Sequence, residues 1–165
     1  MTPKSITSES FEAGQFFAGF PLPPVTQWLA PRFVAHDPAS ATLWLDYLAR
    51  PEWGHPGGMV QGGIVTAMMD DTMGPLVLAQ TGGRFHPAST DIHTRYFRGL
   101  RVGDKCRVEA RLEHAGRSVA FVCAEMVSED GKLVARATNT VRLIDTFDSL
   151  ARSGSVPGDT NGETF

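Results

Sequence analysis

One stretch of this sequence, residues 54–81, constrains the fold more than any other: GHPGGMVQGGIVTAMMDDTMGPLVLAQT. It opens with glycines and a proline, and residues 64–79 then carry few polar side chains. Apolar residues would cover the whole circumference of a helix here, which is typical of a buried helix. A membrane span is disfavoured because Asp70 and Asp71 would place two carboxylates in lipid. The stretch therefore predicts a long central helix enclosed by a sheet.

The remainder of the chain shows strand patterns on both sides of this helix. Alternating apolar and polar residues predict strands over 32–36, 41–48, 89–98, 104–114, 118–128 and 132–144. One short helical turn is expected over 25–30. Residues 82–87 are expected to form a loop, and Glu129-Asp130-Gly131 a type I′ hairpin turn. Runs of strands around one long helix favour an α+β fold with a curved antiparallel sheet of about six strands.

The 165 residues are expected to form one domain with an extension at each end. Residues 1–24 are polar and then rich in phenylalanine, which indicates an N-terminal arm that packs on the domain or on another subunit. The helix and the sheet are expected within residues 25–145. Residues 146–165 are rich in Gly, Ser, Asp and Thr, which predicts a flexible C-terminal tail.

Composition and charge argue against several functional classes. The net charge is −3 and no basic run exceeds two residues, so nucleic acid is not an expected partner. The first residues lack the apolar core of a signal peptide, and Cys106 and Cys123 lie in predicted strands as expected free thiols. These features favour a cytoplasmic location. Histidines and cysteines show no spacing typical of metal ligands, and no metal site is expected.

Three features of the central stretch indicate chemistry on a carbonyl group. Gln61-Gly62-Gly63 stands at the helix start, where N–H groups lack intrahelical partners and can bind a developing oxyanion. Asp70 lies in an otherwise apolar helix, so its pKa is expected to be raised, which would make it a better base. His55 precedes the helix and is expected to reach the same pocket. The adjacent carboxylate, Asp71, is expected to be structural.

The spacing of these residues predicts an oligomer. Gly62 and Asp70 are eight residues apart, which corresponds to ~12 Å along one helix axis. This separation is too large for both residues to touch one reacting carbon. If the two share a site, Gly62 comes from one subunit and Asp70 from another. The spacing thus implies a homodimer with two equivalent sites at its interface.

Three motifs, GHPGGMVQGGIVTAMMDD, STDIHTRYFRGLRVGD and GRSVAFV, resemble those of the hotdog-fold acyl-CoA thioesterases of the phenylacetate-pathway (PaaI-like) group. The resemblance extends over residues 32–144. It implies a long helix wrapped by a curved antiparallel sheet, and assembly as a dimer or as a dimer of dimers, a homotetramer. The family usually has His before the double glycine and often an amide six residues earlier. This chain has Gln61 and His55 at those positions.

The resemblance also implies roles for individual residues. Gly62 matches the oxyanion-hole donor and Asp70 matches the catalytic carboxylate, whereas Ser89 matches a serine that helps to position the water. The residues that fall where relatives often contact the CoA nucleotide are Arg95, Arg117 and Ser118. Further candidates for substrate contact are Gln61, Gly63 and Met59, the last as part of an acyl pocket.

The leading hypothesis is an acyl-CoA thioesterase that hydrolyses a thioester to a free acid and CoA. Asp70 would act as general base or as nucleophile, and the Gly62 N–H would polarise the carbonyl. No metal or redox cofactor is expected, because CoA is part of the substrate. Two alternatives stay open: a hotdog acyl-CoA hydratase or dehydratase that uses His55 with Asp70, and a non-catalytic acyl-CoA-binding subunit. The sequence does not specify the acyl group.

Overall fold

The computed structural model of the protein describes residues 22–146. All but the first residue of the predicted tail and all but the last three residues of the predicted N-terminal arm lie outside these residues, so the domain limits remain predictions. Within residues 22–146, no helix is long and apolar enough to cross a membrane.

The described chain folds into two α-helices and six strands. In chain order these are α1 (Pro24–Leu29), β1 (Arg32–Asp37), β2 (Thr42–Leu48), α2 (Gly62–Gln80), β3 (Phe85–Tyr96), β4 (Lys105–Ala115), β5 (Val119–Ser128) and β6 (Leu133–Asp145). A 3-10 turn, Pro51–Trp53, precedes α2. The predicted central helix and five of the six predicted strands agree with these elements to within two residues at each end, and the predicted turn at 25–30 is α1.

The strands form one antiparallel sheet in the order β1-β2-β4-β5-β6-β3. The sheet is curved and unclosed, and α2 packs against it, with contacts to five of the strands. This arrangement confirms the predicted α+β class and hotdog architecture. It also leaves β1 and β3 as the two edge strands.

Only one side of α2 is fully buried in the protomer. The buried side chains are Val65, Met68, Met69, Thr72, Met73, Leu76 and Val77. They pack on the apolar face of the sheet, which contributes such residues as Val108, Val122 and Ala137. The other side of α2 carries Asp70 and is half-buried, so the helix is less completely enclosed than its sequence predicted. Pro75 lies inside α2 and does not end it.

Strand β3 begins earlier than the alternation predicted. Residues 82–87 were expected as a loop, but Phe85, His86 and Pro87 already pair with β6. Proline has no backbone N–H and cannot donate a hydrogen bond to a neighbouring strand, so it is rare in central strands. Because β3 is an edge strand, one of its sides has no neighbouring strand, and no sheet hydrogen bond is lost there at Pro87. The expectation of a loop was therefore wrong for 85–87.

The turn between β5 and β6 differs from the predicted type. A type I′ turn needs positive φ at both central residues. Among residues 129–131, only Gly131 has a positive φ, +76°. The Gly131 N–H donates to the Ser128 carbonyl at 2.8 Å, and the Ser128 N–H donates to the Lys132 carbonyl at 2.9 Å. The prediction of type I′ was wrong, and the connection is a three-residue loop with glycine in the left-handed region.

A buried ion cluster joins the first two strands to β4. Asp46 is 4% exposed and accepts hydrogen bonds from Arg32 at 2.6 Å and from Arg107 at 2.6 and 3.0 Å. Arg107 is itself only 5% exposed. Arg107 lies directly opposite Asp46 in the pairing of β2 with β4, and this ion pair offsets the cost of burying its charge.

Candidate active site

A cavity of about 490 Å³ lies between α1, α2 and the start of β3. Its apolar walls include Leu22, Val25, Pro75 and Leu78. The polar side chains that line it are Thr26, Asp70, Asp71, His86 and Ser89. The cavity therefore combines an apolar volume with two adjacent carboxylates.

Asp70 belongs to a hydrogen-bonded cluster of three side chains, Asp70, Ser89 and Asn139, here called the Asp70 cluster. Ser89 Oγ donates to Asp70 Oδ1 at 3.0 Å. The Asn139 amide donates to the same Oδ1 at 3.2 Å and to Ser89 Oγ at 2.9 Å. Burial raises the pKa of Asp70 above that of an ordinary aspartate, and the bond from Ser89 partly offsets this shift. A carboxylate in this environment is a suitable general base.

A β-bulge brings Ser89 to Asp70. Ser89 pairs with Val141 and Asp91 with Thr140, so Thr90 is an extra residue in β3. Beyond the bulge, Ile92 packs against the core. Strict alternation would have placed Ser89 on the opposite face from Ile92, but the extra residue turns Ser89 towards α2. The predicted contribution of Ser89 rested on resemblance, and the alternation alone would have excluded it.

Asn139 is the residue of the cluster that the sequence analysis missed. It is 3% exposed and lies in the middle of β6. Its inward-facing neighbours along the strand, Ala137 and Val141, are also buried. The sequence did contain a sign of its role: the amide stands at a strand position where the alternation predicts an inward-facing apolar residue. A polar group buried there needs a hydrogen-bond partner.

Asp71 has structural contacts, as expected, and its partners are two hydroxyl groups. Thr26 Oγ1 donates to Asp71 Oδ1 at 2.6 Å and Tyr47 OH donates to Oδ2 at 3.2 Å. Burial raises the pKa of Asp71, the bonds from Thr26 and Tyr47 lower it, and the neighbouring Asp70 raises it. The bond from Thr26 fastens α1, one wall of the cavity, to α2.

The glycines at the start of α2 lie apart from the cavity. Tyr96 OH donates to the Gly62 carbonyl at 2.9 Å, and a Cβ added to Gly62 would lie 3.2 Å from Tyr96 Cζ. Gly63 has open space around its Cα. Within the described part of the chain, neither glycine N–H donates a hydrogen bond. Gln61 is the N-cap residue but makes no side-chain cap.

His55 and Met59 lie in the loop before α2 and do not line the cavity either. His55 is exposed, and its Nδ1 accepts a hydrogen bond from the Gly57 N–H at 3.0 Å. The Met59 side chain packs against Gly99, where an added Cβ would be 3.0 Å from its sulfur. One protomer therefore brings Asp70 and Ser89 together but leaves Gly62 and His55 elsewhere.

The predicted CoA-contacting residues are exposed and lie outside the cavity. Arg95 lies on β3 opposite Arg136 of β6. Arg117 and Ser118 lie in the connection between β4 and β5. Among residues 22–146, no group of three or more His, Cys, Asp or Glu side chains is arranged to hold a metal ion. Cys106 and Cys123 are both free.

Comparisons with known proteins relate the chain to one protein family. A family model described as the thioesterase superfamily matches residues 57–135. The solved structure of a phenylacetic acid degradation-related protein from Ralstonia eutropha JMP134 is 34% identical, covers 81% of this chain and 99% of its own, and superimposes with a TM-score of 0.72. No curated protein matches the chain.

Two further solved structures share the fold. A mutant of the phenylacetic acid degradation protein PaaI from Thermus thermophilus is 25% identical, over 73% of this chain and 98% of its own, with a TM-score of 0.65. A Streptococcus mutans UA159 protein bound to acetyl-CoA is 19% identical, over 70% of this chain and 89% of its own, with a TM-score of 0.63. The latter likeness shows the fold alone.

Proposed function

Because this chain belongs to the thioesterase superfamily and its solved relatives include PaaI-like proteins, we propose that it is an acyl-CoA thioesterase that hydrolyses a thioester to a free acid and CoA. The observation that carries the proposal is the Asp70 cluster at the wall of a largely apolar cavity. The cavity supplies room for an acyl group, and the carboxylate supplies a base beside it.

The proposed reaction begins with a water molecule between Asp70 and the thioester. Asp70 takes a proton from the water, whose oxygen forms a bond to the carbonyl carbon. The resulting oxyanion accepts a hydrogen bond from a helix N-terminus, for which the unpaired Gly62 N–H is the candidate. Collapse of the intermediate breaks the carbon–sulfur bond, and the CoA thiolate leaves and is protonated. Direct attack by Asp70, giving an anhydride that water then hydrolyses, is the second form of the mechanism.

The site is proposed to form between two subunits of a homodimer, or of a dimer of dimers. Gly62 and Asp70 lie on the same helix, α2, so the ~12 Å between them along its axis applies. The oxyanion donor for one Asp70 is therefore proposed to be Gly62 of the partner subunit. Strand β3 supports such pairing, because it is an edge strand. Tyr96 at its end and Phe97 directly after it are 52% and 51% exposed.

The remaining predicted residues keep their proposed roles in this shared site. His55 would orient the carbonyl or the water from the loop before the partner's helix. Ser89, which donates a hydrogen bond to Asp70, would help to position the water. Residues proposed to contact substrate are Gln61, Gly63, Met59, Arg95, Arg117 and Ser118. Two observations support these contacts. All six residues are at least partly exposed, and the Streptococcus mutans protein of the same fold is bound to acetyl-CoA.

The proposed chemistry takes both base and oxyanion donor from the protein. CoA is then part of the substrate, and neither a metal nor a redox cofactor takes part. The free thiols Cys106 and Cys123 support a reducing compartment, and we propose the cytoplasm.

A thiol-release assay with short-chain, long-chain and aryl acyl-CoA substrates tests the proposal. Release of CoA thiol with a clear preference for one acyl class is expected. Hydration of crotonyl-CoA without thiol release would show a hydratase instead. Binding of CoA esters without turnover of any of them would show a non-catalytic subunit. Sedimentation of the active species checks the shared site, because an active monomer would contradict it.

A further inference from the structure

Asn139 is a buried polar side chain to which the proposed reaction assigns no role. Its amide oxygen, Oδ1, is buried and has no hydrogen-bond partner within residues 22–146. A buried acceptor without a partner has a cost in stability, because the hydrogen bonds that it makes with water in the unfolded chain are not replaced. An apolar side chain would avoid this cost at a position between Ala137 and Val141. The contribution of Asn139 must therefore come from its NH₂ group.

Both contacts of that NH₂ group lead to Asp70 Oδ1. One is the direct bond of 3.2 Å, and the other passes through Ser89 Oγ at 2.9 Å. Ser89 has a single hydroxyl hydrogen, which it gives to Asp70, so its oxygen is free to accept from Asn139. An ionised carboxylate can only accept. If the Asn139 amide were rotated by 180°, its oxygen would face Asp70 Oδ1 and Ser89 Oγ in place of its NH₂ group. The observed orientation therefore matches an ionised Asp70.

We propose that Asn139 is a positioning residue of the proposed thioesterase: it holds Oδ1 of Asp70, directly and through Ser89, and leaves Oδ2 to take the proton from the attacking water. Within the described residues Oδ2 accepts no hydrogen bond, and Asp70 lines the cavity. The cluster thus divides the carboxylate into an anchored oxygen and a reactive one. This inference rests on the proposed function for its catalytic meaning, whereas the anchoring itself does not.

The anchoring predicts a change in the protonation of Asp70. Hydrogen bonds from Asn139 and Ser89 favour the ionised carboxylate, so removing one raises the pKa of Asp70. Other titratable groups at the cavity are Asp71 on α2 and His86 on β3, and Asn139 donates a hydrogen bond to neither of them. In Asn139→Leu, the acidic limb of the kcat/KM profile is expected to move up by about one pH unit, because a bond to a charged group has been lost.

Two further variants separate positioning from packing. Asn139→Asp keeps the shape but places a second carboxylate beside Asp70, so the limb should move further and broaden into a coupled titration. Thr138→Val, at the exposed neighbouring position on the opposite face of β6, should keep the wild-type profile. In an Asp70→Asn background, Asn139→Leu should cause no further loss of rate, since the residue acts through Asp70.

An NMR titration of the Asp70 carboxyl carbon, assigned by comparison with Asp70→Asn, measures the same shift without turnover. If the protein hydrolyses no acyl-CoA but the titration moves with Asn139, the proposed function fails and the anchoring stands. If the wild type is active and folded Asn139→Leu and Asn139→Asp both keep its titration and its pH profile, the anchoring is refuted.

Discussion

Replacing Thr26 by valine tests how α1 is held over the cavity. Thr26 is 4% exposed, and its hydroxyl donates to Asp71 Oδ1 at 2.6 Å. Valine has nearly the same shape but no donor, so a buried carboxylate oxygen loses its partner. A hydrogen bond to a charged group contributes about 1.5–3 kcal/mol. The free energy of unfolding of Thr26→Val is therefore expected to fall by about 1.5–3 kcal/mol at pH 7.

The matched variant is Asp71→Asn, which keeps an acceptor for Thr26 and offers Tyr47 an amide donor. It also removes a charge whose burial is unfavourable, so its stability at pH 7 should equal or exceed that of the wild type. In the double variant the loss caused by Thr26→Val should shrink to about 0.5–1.5 kcal/mol, the value of a bond between neutral groups. Urea unfolding at one protein concentration measures all four proteins.

The change of the free energy of unfolding with pH is a second measurement of the state of Asp71. The pKa of Asp71 is raised in the folded state, so folding favours its protonated form. The stability that this group contributes is therefore lost as the pH rises from the ordinary pKa of an aspartate through the raised pKa of Asp71 in the folded protein. Asp71→Asn should remove this pH dependence, whereas the pH dependence that comes from Asp70, whose pKa is also raised, should remain. A Thr26→Val protein as stable as the wild type, together with Asp71→Asn destabilised by more than about 3 kcal/mol, would refute the reasoning.

Three other predictions address separate parts of the molecule. Gly62→Ala should lower kcat about tenfold, because its Cβ would lie 3.2 Å from the Tyr96 ring, whereas Gly63→Ala, with open space, should not lose stability in urea. Asp46→Ala should reduce the free energy of unfolding by about 3–5 kcal/mol, since it strips a buried carboxylate from two arginines. His55→Gln should keep substantial kcat/KM and His55→Ala should lose it at every pH; wild-type rates in His55→Ala would show a plain loop residue.

The elements that periodicity determines were predictable from the sequence. The apolar run after Gly63 predicted α2, and the alternation of Cys106, Val108 and Ala110 predicted β4. The raised pKa of Asp70 was predictable as well, because a carboxylate in an otherwise apolar helix is expected to be partly buried. These features depend on local order along the chain, which a single sequence displays directly.

The contacts that complete the site depend on residues distant in sequence. Asn139 reaches Asp70 across 69 residues, and Thr26 reaches Asp71 across 45. The bulge at Thr90 turns Ser89 to the helix, and no turn residue marks it in the sequence. Strand pairing and register decide such contacts, and local patterns do not contain that information.

The rate of acyl-CoA hydrolysis by Asp70→Asn, measured beside Asp71→Asn on the best substrate of the wild type, shows whether Asp70 is the catalytic carboxylate. Asn keeps the shape of the side chain but cannot take a proton from water. Asp70→Asn is expected to stay folded and to lose on the order of 10²-fold or more in kcat, while Asp71→Asn is expected to lose far less. Equal losses in the two variants, or a larger loss in Asp71→Asn, would contradict the assignment of Asp70 as the catalytic carboxylate.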